Sequence, residues 1–540
     1  MKIIKYTFVL LVAGMGSNSC TSDFEKLNTQ PNAIIASDVN AGLLGQAFAQ
    51  SQYFGMKGSA GPFQLYQSLF GDLYAQYFSN TQINFDSDRH IQVGGWSNGA
   101  WTEFYSATAP QVKFVEDFSA ENQMMVENAL AKIWKVQVYH RITDYWGPII
   151  YSQFGNAENA VPYDPQETIY KNFFTTLDEA VAVLKANPGA SAFASHDQVF
   201  DGDGDKWLVF ANSLRLRLAM RCKYIDPTLA QEQAEKAVDD GVMMSNDDNA
   251  MLLTTNNSRN PYWTITDWGE FRMSATMESI LKGYDDPRIG EYYSPVVGVD
   301  LNEDGTISDA ERDPDGDASF YEGLRNGHAK VDIVATLNRV HSDMGVQFLN
   351  SGRGGSDTGG SIRVMCAAEV YFLRAEGALE GWDMGGTAQE LYNTGIETSM
   401  KERTAASDSE IAAYISSANT PIPTDDEWGT PASSDITIAF DVGGGLERQL
   451  EQIITQKWLA IYPDGVEAWT EVRRTGYPKL FARLNSENSD VPKDQIMRRL
   501  IFVESEYSNN ADAVNAAVEL PELVSRGGNK NSTRLWWDAK

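Results

Sequence analysis

The stretch Met-Cys-Ala-Ala-Glu-Val-Tyr-Phe-Leu-Arg-Ala-Glu-Gly-Ala-Leu, residues 365–379, shows most directly what kind of fold this chain adopts. Its apolar residues recur every three or four positions, at Met365, Ala368, Phe372, Ala375 and Leu379. That period matches the turn of an α-helix and places these side chains on one face. The pattern predicts a helix over 362–380 that packs against neighbouring helices.

Three further segments repeat the helical spacing of apolar residues: 126–146, 206–222 and 446–461. Segment 206–222 also alternates Leu with Arg, as a strand would, but its length and its apolar residues four apart favour a helix. Gly-, Asn- and Asp-rich stretches lie between the helices, at 55–61, 80–99, 256–270, 298–319 and 350–361. The sequence therefore predicts a mostly α, helical-repeat scaffold with long irregular loops, and such loops are usually functional.

Composition narrows the classes of partner. The chain has 43 basic and 74 acidic residues, a net charge of −31. Nucleic acid and anionic lipid both require clustered Lys and Arg, so neither is expected to bind. Aromatic residues make up 11% of the chain, which suits a surface that binds ligands by stacking. Cys222 and Cys366 lie in apolar stretches and are expected to be buried, inert thiols.

The first twenty residues have the pattern of an export signal. Lys2 and Lys5 precede an apolar run at 8–15, which is too short to span a bilayer. Ser17-Asn18-Ser19-Cys20 follows and resembles a bacterial lipobox, in which the cysteine is acylated. We expect a signal peptide over 1–19, a lipidated Cys20 with a tether over 20–40, and a body over 41–540 that is anchored by lipid only. The alternative is an ordinary signal peptide that is cut nearby.

Six stretches in order carry a resemblance to a known family. They are 23–32 (DFEKLNTQPN), 202–217 (GDGDKWLVFANSLRLR), 286–288 (DPR), 368–376 (AEVYFLRAE), 456–478 (QKWLA through EAWTEVRRTGYP) and 536–538 (WWD). Together they resemble the SusD/RagB-like nutrient-binding outer-membrane lipoproteins over nearly the whole mature chain. Arg473, Arg474, Glu369 and Glu376 fit helix caps and ion pairs of a scaffold better than a catalytic set.

The resemblance implies a scaffold of tetratricopeptide-like helix pairs whose irregular loops carry the ligand site. It also implies a binding protein on the cell outer membrane rather than an enzyme. Its partner would be a SusC-like TonB-dependent barrel transporter, to which it delivers its ligand. Ligands in such a family are usually oligosaccharides and in some members are oligopeptides, and both remain open for this chain.

Aromatic residues in two Gly- and Asn-rich regions are the candidate ligand contacts. Trp rings can cover the flat faces of sugars, and Asn can bond their hydroxyl groups. Trp96 and Asn98 lie in a Gly-rich loop, and Trp101 follows at a position where core packing is the alternative. The second cluster is Tyr262, Trp263 and Trp268, with a small cluster packed under the loop as its alternative.

Residues 300–311, Asp-Leu-Asn-Glu-Asp-Gly-Thr-Ile-Ser-Asp-Ala-Glu, match the spacing of an EF-hand calcium loop. The predicted oxygen donors are Asp300, Asn302, Asp304, the Thr306 backbone, Ser308 through water, and Glu311 as a bidentate ligand. Pro and Gly in the preceding segment argue against a helix there and against a paired sensor. We therefore expect a structural Ca²⁺ in a surface loop over 300–317, with a solvated acidic turn as the alternative.

An enzyme is the competing class. Gly95-Trp96-Ser97-Asn98-Gly99 fits the G-x-S-x-G pattern of a hydrolase that uses Ser97 as nucleophile. That pattern needs a strand before it, a helix after it and a parallel α/β sheet, and no alternating strand–helix units are visible. A glycosidase needs two carboxylates flanking the sugar bond, and no motif nominates such a pair.

Overall fold

The computed structural model describes residues 40–56, 58–156, 160–298, 306–312, 319–424, 426 and 428–540. Its N-terminal half contains the helices α1 Ala41–Gly55, α2 Ala60–Phe63, α3 Asp72–Tyr74, α4 Gly94–Glu103, α5 Ala109–Glu121, α6 Met125–Trp146, α7 Gln166–Ala186, α8 Gly204–Cys222 and α9 Pro227–Asp240. The remainder contains α10 Pro261–Trp268, α11 Ala275–Gly283, α12 Ile289–Tyr292, α13 Asp309–Arg312, α14 Leu337–Val340, α15 Ala367–Leu379, α16 Ala388–Arg403, α17 Asp408–Ile415, α18 Gly445–Ala460, α19 Gly465–Thr475, α20 Glu504–Asn509, α21 Ala511–Val518 and α22 Pro521–Val524. Two π-helical turns, Gln64–Gly71 and Phe104–Thr108, connect α2 to α3 and α4 to α5.

Consecutive long helices pack as pairs, notably α5 on α6, α6 on α7, α8 on α9 and α15 on α16. Helix α15 also packs on α8 and α18, so the pairs form one layer. Their facing residues build a continuous apolar core that contains Trp134, Trp207, Trp458 and Trp469, each almost fully buried. This tetratricopeptide-like scaffold confirms the predicted fold class.

Only short strands accompany the helices among the described residues. Strand β1 (Phe78–Asn80) pairs antiparallel with β3 (Phe271–Met273), and β2 (Ala250–Leu252) pairs antiparallel with β4 (Ile362–Met365). Along the chain, β2 follows the α8–α9 pair and β4 precedes the α15–α16 pair. The described part therefore lacks the parallel sheet that a nucleophile elbow requires.

Ion pairs hold the helical layer together from inside. Arg217 on α8 donates two hydrogen bonds to Glu369 on α15, at 2.8 and 2.6 Å. Arg474 on α19 does the same to Glu376 on α15, at 2.7 and 2.6 Å. Arg473 instead donates to backbone carbonyl oxygens. The structure thus confirms a scaffold role for these residues, because all are buried and bonded to other helices.

All four predicted helices are present, and one of them is shorter than predicted. The segments predicted at 126–146, 206–222 and 446–461 are helical, and Asp203 caps α8 by accepting from the backbone N–H groups of Asp205 and Lys206. The helix predicted over 362–380 begins only at Ala367, because residues 362–365 pair as β4 with β2. At these residues the backbone hydrogen bonds between β4 and β2 prevail over the helical spacing of apolar residues.

Helices begin inside four of the predicted loops, those at 55–61, 80–99, 256–270 and 298–319, and the second and third of these corrections matter for the site. Helix α4 begins at Gly94 within the loop predicted over 80–99, since its buried face, including Ala100 and Trp101, offsets the cost of two glycines. Helix α10 lies within the loop predicted over 256–270. Asn260 caps it and Pro261 occupies its first position, a start signal that the sequence interpretation missed.

Several predictions concern other parts of the chain. Cys222 and Cys366 are buried and form no disulfide, as expected. Cys20 and the tether lie outside the described residues. No helix in the described part is both long and apolar enough to cross a membrane.

Candidate functional site

Trp96, the first of the candidate contacts, has its ring beside an open surface. It lies in the first turn of α4 and is half-buried. The ring of Phe85 meets it edge to face, with the ring centres 5.6 Å apart at 84°. A methyl group added at Gly94 or Gly95 would meet no atom within 4 Å, so the surface beside the indole is open. Phe85 therefore fixes the indole while leaving space next to it.

The other two predicted residues of α4 have roles within the fold. The Asn98 side-chain oxygen accepts from the backbone N–H of Ser505 at 3.0 Å. Trp101 is only 2% exposed, and its indole N–H donates to Glu506 at 3.0 Å. Burial gives Trp101 the core-packing role that was its alternative. Asn98 is half-buried and remains at the edge of the same helix.

Ser97 lacks the setting of a catalytic nucleophile. It is 1% exposed and lies inside α4, not on a turn between a strand and a helix. Its hydroxyl contacts the Gly94 carbonyl oxygen at 3.2 Å and the Gln92 amide nitrogen at 3.1 Å. The match to G-x-S-x-G therefore occurs without the strand–turn–helix geometry that the motif requires.

The second predicted cluster separates into three environments on α10. Tyr262 is 4% exposed, and its hydroxyl donates to Asp72 at 2.7 Å. The indole N–H of Trp263 donates to the Ser356 carbonyl oxygen at 2.9 Å, and the Arg259 guanidinium lies over its ring at 4.1 Å. Only Trp268, which is 42% exposed, presents a large apolar surface to solvent.

Phe85 links the regions of Trp96 and α10. Besides contacting Trp96, its ring lies 5.6 Å from that of Phe271, three residues after Trp268. Next to Phe271, Glu270 accepts a hydrogen bond of 2.6 Å from Gln64. Burial raises the pKa of Glu270, although Gln64 opposes this. We call Trp96, Phe85, Phe271 and Glu270 the aromatic face.

Sequence reasoning missed Phe85, which contributes to this region, and Trp428, an exposed ring elsewhere in the structure. Phe85 follows no periodic pattern, and its role depends on a pairing with Phe271 across 186 positions, the difference between the two residue numbers. Trp428 is 49% exposed and lies 5.9 Å from His328, on a segment that carried no motif. Exposure of a large ring would have been the signal, and it is visible only in the folded chain.

The calcium loop is only partly described. Asp300, Asn302 and Asp304 lie outside the described residues. Thr306 precedes the short helix α13, and Glu311 lies within it. The backbone N–H and the hydroxyl of Ser308 both donate to Glu311, each at 2.8 Å. Glu311 is thus oriented back toward the start of α13, and Ca²⁺ binding stays a prediction.

The described architecture is a helical-repeat scaffold that carries exposed rings on the segments inserted between its helices. The family model of SusD-like proteins, the Susd and RagB outer membrane lipoproteins, matches residues 26–538. The chain belongs to this family. Family membership places it among outer-membrane lipoproteins, in agreement with the resemblance seen in the sequence.

Solved structures agree with this assignment. A chitin-binding SusD homologue from Flavobacterium johnsoniae is 35% identical, with a TM-score of 0.79, over 92% of this chain and 98% of its own. A SusD homologue from Bacteroides thetaiotaomicron is 32% identical, with a TM-score of 0.80, over 92% and 99% of the two chains. One from Bacteroides vulgatus is 32% identical, with a TM-score of 0.79, over 92% and 97%. No curated protein sequence matches the chain.

Proposed function

We propose that this protein captures oligosaccharides at the cell surface and passes them to a SusC-like TonB-dependent transporter without breaking them. The observation that carries the proposal is the aromatic face, on which Trp96 is held by Phe85 beside an open surface. Flat rings suit the apolar faces of sugars, and a carboxylate such as that of Glu270 accepts from sugar hydroxyls.

The state of the indole N–H groups supports Trp96 as the ligand contact. Trp101 and Trp263 donate their N–H groups to protein oxygens, whereas Trp96 makes no such bond with a described residue. Trp96 therefore offers a ring edge, part of a ring face and a hydrogen-bond donor. A sugar with ring oxygens and hydroxyl groups can use all three.

The relatives supply a first ligand to test. The Flavobacterium johnsoniae homologue, 35% identical over nearly its whole length, is described as chitin-binding. A second similar structure, 27% identical with a TM-score of 0.73, is also described as a chitin-binding protein. We therefore propose β-linked N-acetylglucosamine oligomers as the first ligands to examine.

Isothermal titration with chitin oligomers, maltose oligomers and short peptides separates the possible ligand classes. Trp96→Ala is expected to weaken oligosaccharide binding at least about tenfold, roughly 1.4 kcal/mol, because a central aromatic contact is lost. Trp382→Ala is the matched control, since Trp382 is also half-buried but lies beside α15. Unchanged affinity in Trp96→Ala would contradict the proposal that the aromatic face binds the ligand. Binding of peptides alone would favour the oligopeptide alternative.

We propose further that Cys20 carries the lipid anchor. Labelling of cells with a fatty-acid analogue is expected to mark the wild-type protein and not a Cys20→Ala variant. Copurification of the lipidated protein with a barrel transporter would support the proposed partner. A mature protein that is released without a fatty acid would contradict the anchor.

We also propose that residues 300–311 bind a structural Ca²⁺. The support is the complete EF-hand spacing and the position of Glu311, which Ser308 draws toward the loop. The segment before the loop, 293–296, is not helical, which argues against a paired EF-hand sensor. The expected role of the ion is therefore to stiffen a surface loop.

A further inference from the structure

A cavity separate from the aromatic face lies between the helical layer and the loops. It measures about 300 Å³, at the lower end of the roughly 300 to 1,000 Å³ typical of small-molecule sites. Phe63, Met251, Phe348 and Pro463 form its apolar wall. The aromatic face shares none of its four residues with this cavity, so the two sites can be tested separately.

Three arginines from distant parts of the chain meet in this cavity. Arg141 comes from α6, Arg363 from β4 and Arg403 from the last turn of α16. Arg141 pairs with Asp464 at 2.8 Å, and Arg363 pairs with Glu402. Their burial is nearly complete, with 3% of Arg141 and 6% of Arg363 exposed. A buried guanidinium requires partners for its N–H groups, because leaving them unmade is costly.

Several of these N–H groups have no partner among the described residues. They are the Nε of Arg141, the Nε and Nη1 of Arg363, and the Nε of Arg403. One carboxylate oxygen of Glu402 likewise has no hydrogen-bond partner among the described residues. More than nine in ten buried polar groups in proteins are bonded, so the guanidinium groups at this cavity are not fully satisfied by the described residues. The cavity has space for about ten water molecules at ~30 Å³ each, or for a small ligand.

The charges of the buried wall do not cancel. Behind the exposed rim residue Glu291, two carboxylates, Asp464 and Glu402, face three guanidinium groups, which leaves one positive charge on the inner wall. Arg403 supplies the surplus, because its closest carboxylate contact is 3.9 Å, to the already paired Glu402. Burial favours a neutral Glu402, but Arg363 and Arg403 outweigh it and hold the pKa of this carboxyl below its usual value.

We propose that this cavity binds a small organic monocarboxylate, with the carboxylate held by the three arginines that line the cavity and the body of the ligand against the apolar wall. One negative charge balances the inner wall, whereas the dianionic form of phosphate would overcompensate it. The unpaired oxygen of Glu402 fits a hydroxyl or amide donor on the same ligand. A sugar acid and a peptide C-terminus both carry these groups. The inference goes beyond the proposed oligosaccharide capture.

Titration of the full mature chain with matched pairs of probes tests the proposal. Glucuronate is compared with neutral glucose, and N-acetyl-leucine with N-acetyl-leucine amide, so each pair differs mainly in the carboxylate. We expect at least one carboxylate to bind about tenfold or more tightly than its neutral counterpart, as charge-assisted hydrogen bonds require. The pair that shows the preference identifies the source, and inorganic phosphate is expected to bind more weakly.

Variants at the cavity decide whether binding occurs there. Ser361 lines the cavity, so Ser361→Phe is expected to fill it and abolish binding, while Ser361→Ala keeps it. Glu291 lies exposed at the rim, and Glu291→Gln is expected to tighten carboxylate binding about twofold or more by removing a like charge. Trp96→Ala should leave this binding unchanged, which distinguishes the cavity from the aromatic face.

Two results would overturn the proposal. One is that neither carboxylate binds better than its neutral counterpart, which would mean that the cavity holds water only. The other is a carboxylate preference that survives Ser361→Phe. If Ser361→Phe does not fold, Glu291→Gln still decides, because an exposed rim residue does not endanger folding and unchanged carboxylate affinity would then contradict the site.

Discussion

Removal of Arg474 should destabilise the scaffold more than any surface charge change. Its guanidinium is fully buried and donates to both carboxylate oxygens of Glu376, at 2.7 and 2.6 Å, and of Glu471, at 3.0 and 2.6 Å. Arg474→Met keeps most of the volume but leaves two buried carboxylates without their main partner. Breaking one buried pair costs about 3–5 kcal/mol.

Neighbouring cations limit this loss. Lys223 remains 2.9 Å from Glu376, and Lys457 remains 3.5 Å from Glu471. We therefore expect a loss of about 3–5 kcal/mol for the variant and not twice that amount. Since a folded domain is stable by only about 5–15 kcal/mol, this is a large fraction of the total.

The pH dependence of the loss tests its electrostatic origin. Burial would raise the pKa of Glu376, but Arg474 and Lys223 overcome burial and hold it well below its ordinary value of 4.5. A lowered carboxyl pKa stabilises the fold above 4.5, and that stabilisation disappears as the pH falls below 4.5. The gap between wild type and Arg474→Met should therefore narrow at pH 4 relative to pH 7.

Urea unfolding followed by tryptophan fluorescence measures both effects. Arg448→Met is the control, because Arg448 pairs with Asp435 and Asp441 at the surface and its loss should cost less than about 1 kcal/mol. The reasoning is refuted if Arg474→Met costs no more than Arg448→Met at pH 7. A gap that stays constant down to pH 4 would refute the electrostatic origin alone.

Three further predictions concern calcium, a buried acid and a helix cap. Chelation by EDTA should lower the melting temperature of the wild type but leave that of Glu311→Gln unchanged, and equal shifts in both would contradict the Ca²⁺ loop. Burial raises the pKa of Asp72 to about 7, so its contribution to stability falls as the pH rises from about 3.8 to about 7; Asp72→Asn should show a flatter dependence over that range in chemical denaturation. Asp203→Ala should cost about 1 kcal/mol in the same assay, since Asp203 accepts from two N–H groups at the start of α8, whereas Glu232→Ala, at an exposed position within α9, should cost less.

Local patterns in the sequence determined most of the scaffold. The helical period at 365–379 and in three other segments predicted helices that the fold contains. It could do so because a helix that buries one face needs apolar residues about every 3.6 positions along the sequence. The ordered motifs indicated the family, which the family model confirms. Where the sequence interpretation was wrong, at β4 and at the starts of α4 and α10, non-local pairing or burial outweighed local preference.

The candidate sites depended on contacts that no local pattern contains. Trp96 and Trp101 are both tryptophans on one helix, yet Phe85 holds the first at an open surface and Glu506 binds the second in the core. Arg141 and Arg363 line one cavity although 222 positions separate their residue numbers. Periodicity reports which face of an element is buried, but only the packed fold decides which distant side chains share a surface or a cavity, because that depends on how whole elements are placed against one another.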